Sequence, residues 1–354
     1  FIMKKQLFLM AVVALAMASC SKDDSTGINK GSAIDFRVAL GTRAAETTTS
    51  NLTTIFVTAI DKNNANLFSD EEFSKNGQYF TSGDPYYWPN DGSNLSFFAY
   101  SPSAMDLGAT VTINSTTKTL TDFQPATMIA DQKDFVTANA TGNKTNEATG
   151  VPLTFAHRLA QIEIKAKNTN ENYVYKVTGV RIGQPISKAS FDFSTFDWTL
   201  GTDKANYAVT YTAAKTLTAT AASLMAADDD NAMLIPQQLA AWTPDTDKAN
   251  ANKGAYLAVK VNITTKAGAR VYPVASVGEY DWAAVAIGTN WEPGKKYVYT
   301  LDFSNGAGKV DPEKEQPTDP DVDPFDPGEN ILGSSIKFTV EVTPWEDAAQ
   351  DVNM

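Results

Sequence analysis

Apolar residues in this chain recur at every second position, in short runs from one end to the other. In VPLTFAHRLAQIEIKAKN, from Val151 to Asn168, Ile162 and Ile164 fall on one side while Glu163 and Lys165 fall on the other. A period of two belongs to a strand with one buried face, because successive Cβ atoms point to opposite faces of a sheet. TTIFVTAI, from Thr53 to Ile60, is rich in the β-branched residues that strands favour. Gln78 to Pro102 holds two aromatic runs around Asn90-Asp91-Gly92, which is a turn signal. Further strands are expected over Tyr173 to Ile182, Tyr207 to Tyr211, Tyr256 to Thr264, Ala269 to Val274 and Lys296 to Phe303. Helical patterning is scarce; its best candidate is Ala213 to Ala227, and the threonines there weaken it.

Many short strands with turns between them predict an all-β protein built of β-sandwiches. With 354 residues, 43% of them hydrophobic, the chain has material for two such units in tandem. The expected division is an N-terminal sandwich over 44–170 and a C-terminal sandwich over 171–310, with the boundary at the polar NTNEN run. Residues 311–330 are acidic and rich in proline, which denies them a helix or a central strand, so they read as an extended linker. The chain closes with a strand segment at 331–354.

The first residues read as a targeting signal. Lys4 and Lys5 precede an apolar run from Gln6 to Ala18, too short to cross a bilayer as a helix. Met3 is the expected start. The run ends in LAMASC, which resembles a lipobox, so 1–19 is expected to be a lipoprotein signal peptide and Cys20 the lipidated residue. Met17 stands where leucine is more usual. SKDD, directly after Cys20, resembles the acidic export signal of Bacteroidetes surface lipoproteins. Ser21 to Ser32 is polar and reads as a flexible tether, which with the strand after it makes up 20–43.

Catalytic chemistry has little to stand on. Cys20 is the only cysteine, so a lipidated chain keeps no thiol for a disulfide, a zinc site or a nucleophile. His157 is the only histidine and sits in a strand-like run between Phe155 and Leu159, where a hydrogen-bonded structural role at a sheet edge is the simpler reading. There is no phosphate-binding glycine loop. Neither Asp228-Asp229-Asp230 nor the acidic linker has the ordered spacing of a calcium loop. The aromatics at Tyr86 to Trp88 read as core rather than as a sugar platform. A formal net charge of −12 argues against nucleic acid or an anionic membrane surface as a partner. No enzyme activity and no cofactor are expected.

One pattern is written twice. SAIDFRVAL, from Ser32 to Leu40, places Ile34, Phe36, Val38 and Leu40 at alternate positions. SSIKFTVEV, from Ser334 to Val342, repeats the spacing with Ile336, Phe338, Val340 and Val342. The first copy is followed by the small-residue, threonine-rich loop GTRAAETTTSN. Of the five arginines, Arg43 alone lies in such a loop, open to an extended-substrate protease, while Arg37, Arg158, Arg181 and Arg270 lie in or beside expected strands.

Taken together and in order, several segments resemble the fimbrillin family of the Bacteroidales, the subunits of type V pili, including its minor-fimbria (Mfa-like) branch. They are LAMASC, the TRA at Thr42 to Ala44, YYWPNDGSNLSFFAYSP, PLTFAHRLAQ, IPQQ at Ile235 to Gln238, WEPGKKYVYTLDF at Trp291 to Phe303 and IKFTVEVTPWED. The resemblance implies two transthyretin-like Greek-key β-sandwich domains in an outer-membrane lipoprotein precursor that becomes part of a surface fimbrium. It implies an Arg-specific protease cutting between Arg43 and Ala44, loss of the first strand and insertion of a neighbour's C-terminal strand into the groove left behind. The implied partners are other pilin subunits, in a homopolymer or a mixed pilus, the protease, the outer membrane through the lipid before cleavage, and a host or bacterial surface ligand.

The repeated spacing suits such an exchange, since both strands would offer side chains to the same alternate pockets. Burying four of them contributes roughly 6–12 kcal/mol before ordering costs, and the linker, if extended at ~3.1 Å per residue, spans on the order of 60 Å. The competing readings are a tip or accessory adhesin of the same family, and an uncleaved surface lipoprotein that binds a glycan or a host protein. An intact C-terminal strand argues for a stalk subunit, and Arg43 argues against an uncleaved anchor.

Overall fold

The computed structural model describes residues 28–40, 51–225, 231–244, 254–314, 319 and 321–345. Strands dominate, and the one helical element among the described residues is a 3-10 turn at Ile129–Asp131. The helix expected from Ala213 is replaced by the strands Lys204–Thr216 and Ala222–Ser223. Thr210, Thr212 and Thr216 are stiff at χ1 and suit an extended backbone better than a helix.

Seven strands of the first half close into a barrel. Their order is Val136–Gly142, Val151–His157, Phe36–Leu40, Tyr79–Ser82, Asn66–Asn76, Thr54–Ile60 and Leu95–Ser101. Alternate residues point inward, so Ile55, Val57, Phe73, Phe97 and Leu153 fill one core. Trp88 belongs to it, its ring edge-on to Phe97 at 5.8 Å. Tyr86 packs at the margin and donates its hydroxyl to Glu71 at 3.0 Å. The Asn90-Asp91-Gly92 turn forms as its residues demand: Gly92 takes a φ of 71°, and Asp91 accepts the Ser93 amide at 2.9 Å.

The second half is a sandwich. One sheet runs Ala222–Ser223, Ala160–Lys167, Lys295–Asp302, Lys337–Pro344. The other runs Lys204–Thr216, Tyr173–Ile186, Tyr256–Thr265, Asp281–Ala286, Lys309–Val310. Ile162, Ile164, Tyr299 and Leu301 meet Val180, Ile182, Leu257 and Val259 in the core between them. Glu163, on the opposite side of its strand, is covered by Lys296 at 2.8 Å and Lys165 at 3.3 Å. The chain changes core between Val151–His157 and Ala160–Lys167, ahead of the NTNEN run.

The halves are stitched together by a four-stranded sheet in which Ala189–Asp192 pairs with Lys118–Phe123. Rings pack on it: Phe135, just ahead of Val136–Gly142, stands edge-on to Phe191 at 5.2 Å, and Trp198 lies 5.1 Å from Phe191. The described residues of the acidic segment lie against the second sandwich. Asp311 is buried in a salt bridge with Arg181, and Lys314 bridges Asp281 at 3.0 Å and Asp323 at 2.7 Å. Charge pairing, which no apolar pattern announces, holds this stretch down.

Candidate functional site

The first copy of the repeated pattern closes the barrel. Phe36–Leu40 runs parallel to Val151–His157, with Phe36 opposite Val151, Val38 opposite Leu153 and Leu40 opposite Phe155. On its other side the pairing is a single residue, Phe36 opposite Phe80. The approach is held by two further bonds, from the Ile34 amide to the Tyr86 carbonyl and from the Val151 amide to the Asp35 carbonyl, both 2.8 Å. Ile34 and Phe36 are buried, and the Phe36 ring sits edge-on between Phe73 at 4.8 Å and Phe97 at 5.2 Å. Val38 packs at the margin of the same core. Burial raises the Asp35 carboxyl above its ordinary value. Ahead of this strand the expected tether is in part a strand too: Ile28–Ala33 pairs with Tyr87–Pro89. Backbone pairing on an edge needs no apolar alternation, so the polar sequence did not reveal it.

The second copy lies elsewhere. Lys337–Pro344 is the edge strand of the second sandwich, antiparallel to Lys295–Asp302 with Phe338 opposite Leu301, Val340 opposite Tyr299 and Val342 opposite Tyr297. Ile336, just ahead of it, is buried over Gly308, a glycine at φ 78°. Phe338 and Val340 only partly cover the core, and Val342 is 50% exposed. Beneath them the Trp291 indole donates to the Tyr299 hydroxyl at 2.9 Å, and burial pushes that phenol up to about 12.

The two copies meet through one residue the pattern omits. Trp345, directly after the last strand, is buried at the junction of the halves and stacks on His157 at 4.4 Å and 10°. His157 is therefore no edge residue. It ends the strand that holds Phe36–Leu40, and its Nδ1 lies 2.7 Å from the buried Asp134 carboxylate. Beside it, burial brings Arg158 down to about 10, with its guanidinium 3.9 Å from the Phe196 ring. The signal for Trp345 was a large aromatic just past a strand, ahead of an acidic end; nothing local pairs it with a histidine so distant in sequence.

Cys20, Arg43, Ala44 and Asp228-Asp229-Asp230 lie outside the described residues. Among the described residues, no group of three histidine, cysteine or acidic side chains is placed to hold a metal ion.

Comparison with known proteins bears on this arrangement. No curated protein matches the chain in sequence. Among solved structures, a fimbrial protein from Bacteroides vulgatus superposes with a TM-score of 0.60 at 17% identity, over 88% of this chain and 99% of that one. A candidate cell adhesion protein from Bacteroides uniformis gives a TM-score of 0.47 at 15% identity, over 90% of this chain and 99% of that one. The first of these shows a shared fold. The fimbrillin-like family model matches residues 42–345, from just past Phe36–Leu40 to Trp345. That span takes in both halves, their junction and the last strand, and on it the chain belongs to the fimbrillin-like family.

Proposed function

We propose that this chain is a structural pilus subunit that polymerises by protease-triggered strand exchange and so supports surface adhesion. A cut between Arg43 and Ala44 severs Phe36–Leu40, together with Cys20 and its lipid, from the rest. The barrel then lacks its closing strand, and the core around Phe73 and Phe97 loses the ring between them. Unpaired edges flanking an apolar groove demand an occupant. The last strand of another copy has the matching spacing, and pairing along an open edge supplies the backbone hydrogen bonds.

One observation carries the reading: the two strands with the same apolar spacing are buried to different degrees. Ile34 and Ile336 are both buried and Val38 and Val340 both partly covered, but Phe36 is enclosed where its counterpart Phe338 is only partly covered, and Val342 is half exposed. Moving the last strand into a vacated groove buries side chains that now face water. A subunit with both a closing strand and a transferable one fits the stalk of a fimbrium, with other copies of the chain or related subunits as its neighbours.

The test treats the purified precursor with an Arg-specific protease and looks for a ladder of SDS-resistant oligomers on an unboiled gel. The expected result is a ladder from a chain whose new N-terminus is Ala44, and none from a variant that ends before Ile331. A cut chain that stays monomeric, or a ladder from the truncated variant, overturns the proposal.

A further inference from the structure

Three facts place Trp345 between the two strands whose exchange is proposed above. Its indole stacks on His157, the last residue of the strand that holds Phe36–Leu40. Its backbone amide donates to the Gly294 carbonyl at 2.9 Å, and Gly294 directly precedes the strand that holds Lys337–Pro344. Gly294 in turn donates to the Leu159 carbonyl at 2.9 Å from a left-handed φ of 66°, which ties the two holding strands to each other. Around the indole lies the apolar cluster of Phe135, Leu159, Met233 and Ile235 that joins the halves.

We propose that Trp345 is a latch: its indole keeps the last strand on its own subunit, and loss of the first strand loosens the socket that grips it. The proposal rests on the strand-exchange reading, which it supplies with an order of events. Lys337–Pro344 is paired on one side only and half covered, so backbone pairing, more than side-chain burial, holds it. The fully buried residue of this end is Trp345, and the strand cannot leave while the indole is seated. Trp345 Nε1 and Asp134 Oδ1 are both buried and reach no protein hydrogen-bond partner, which weighs against the seated state. Stacking and apolar burial outweigh that cost as long as His157 stays in register. His157 is held by Asp134, by Val136 opposite it on the neighbouring strand, and by its own strand, whose residues Val151 to Phe155 pair with Phe36–Leu40. Removing Phe36–Leu40 frees one edge of that strand and leaves it paired on the other side alone. A precursor with its first strand in place therefore retains its last strand, and a cut subunit releases it.

Amide hydrogen exchange on the monomeric full chain tests this without requiring any polymer. Trp345→Ala is expected to speed exchange across Lys337–Pro344 by about tenfold or more while Tyr256–Thr265 in the second core stays protected. Trp345→Phe, which keeps a ring on His157, should restore most of the protection. Cutting the wild type and removing the freed leader should speed exchange of the last strand, with little further gain in Trp345→Ala. Unchanged exchange in Trp345→Ala overturns the latch, as does an equal rise in Tyr256–Thr265, which marks a merely structural role. A last strand that stays protected after the leader is gone overturns the coupling. A chain that never polymerises yet shows these exchange changes loses the strand-exchange function and keeps the latch; a ladder with none of them loses the latch alone.

Discussion

The first strand and the last carry the same apolar spacing and are held in opposite ways. Phe36–Leu40 has a short register on one neighbour and one paired residue on the other, but Phe36 is locked between two rings. Lys337–Pro344 pairs along its whole length with Lys295–Asp302, yet most of its apolar side chains are only partly covered. One strand is gripped by its side chains and the other by its backbone. The difference matters for exchange. Backbone hydrogen bonds are alike on any free edge, so a strand held by them loses little of its own when it changes partner. A groove that grips side chains accepts only a strand with the right spacing.

The comparison can be broken at the first strand. Phe36→Ala empties a site between Phe73 and Phe97, and the expected loss is about 3–5 kcal/mol of precursor stability in a urea melt. A loss below about 1 kcal/mol would mean that the barrel does not depend on this ring.

A smaller loss is expected in the segment that leads to the last strand. Arg181→Met leaves the buried Asp311 carboxylate without its cation, at a cost of about 3 kcal/mol near neutral pH. Burial already raises the Asp311 carboxyl, and Arg181 is what pulls it back. Without the arginine the carboxyl rises further, so the folded state binds its proton more tightly than the unfolded one, and stability falls as pH rises through that window. The deficit of the variant relative to wild type should therefore shrink as pH drops from 7 toward 4, in paired melts. A deficit that grows in acid would separate Asp311 from the effect.

The smallest effect sharpens the contrast most. Val342→Thr on the half-exposed end of the last strand should change precursor stability by less than about 0.5 kcal/mol and still weaken the SDS-resistant ladder. Equal ladders from variant and wild type would remove Val342 from the transferred set.

Much of this was legible in the amino-acid order. Alternation marked Ile34 and Phe36 as inward residues, because burial of one face leaves a period-two trace, and Trp88 read as core because large aromatic rings most often fill a sandwich interior. The closing of the barrel left none. Arg37 donates to the Gly150 carbonyl at 3.1 Å across 113 residues, and a parallel pairing over that distance depends on the whole fold. The junction strands Ala189–Asp192 and Lys118–Phe123 were hidden for the same reason: they are short, and their partners belong to the other half of the chain. The acidic segment was read by its prolines, whereas Arg181 and Lys314, which pin it, are far from it or look like ordinary surface charge. His157 was legible as structural, but its place under Trp345 was not.

The parallel pairing of Phe36–Leu40 with Val151–His157 has a consequence for symmetry. A slot of this kind has a direction, so a strand that replaces the first in the same register enters with its N-terminus toward one end of the barrel. Under the proposed exchange each subunit would present a slot on one surface and a strand on another, which is a heterologous contact. A twofold axis cannot run through such a contact, so two copies could satisfy each other only by exchanging strands reciprocally. Under the proposed exchange, repetition that does not close on itself would give an open fibre with a free slot at one end and a free strand at the other, and the two ends would differ in what they can recruit.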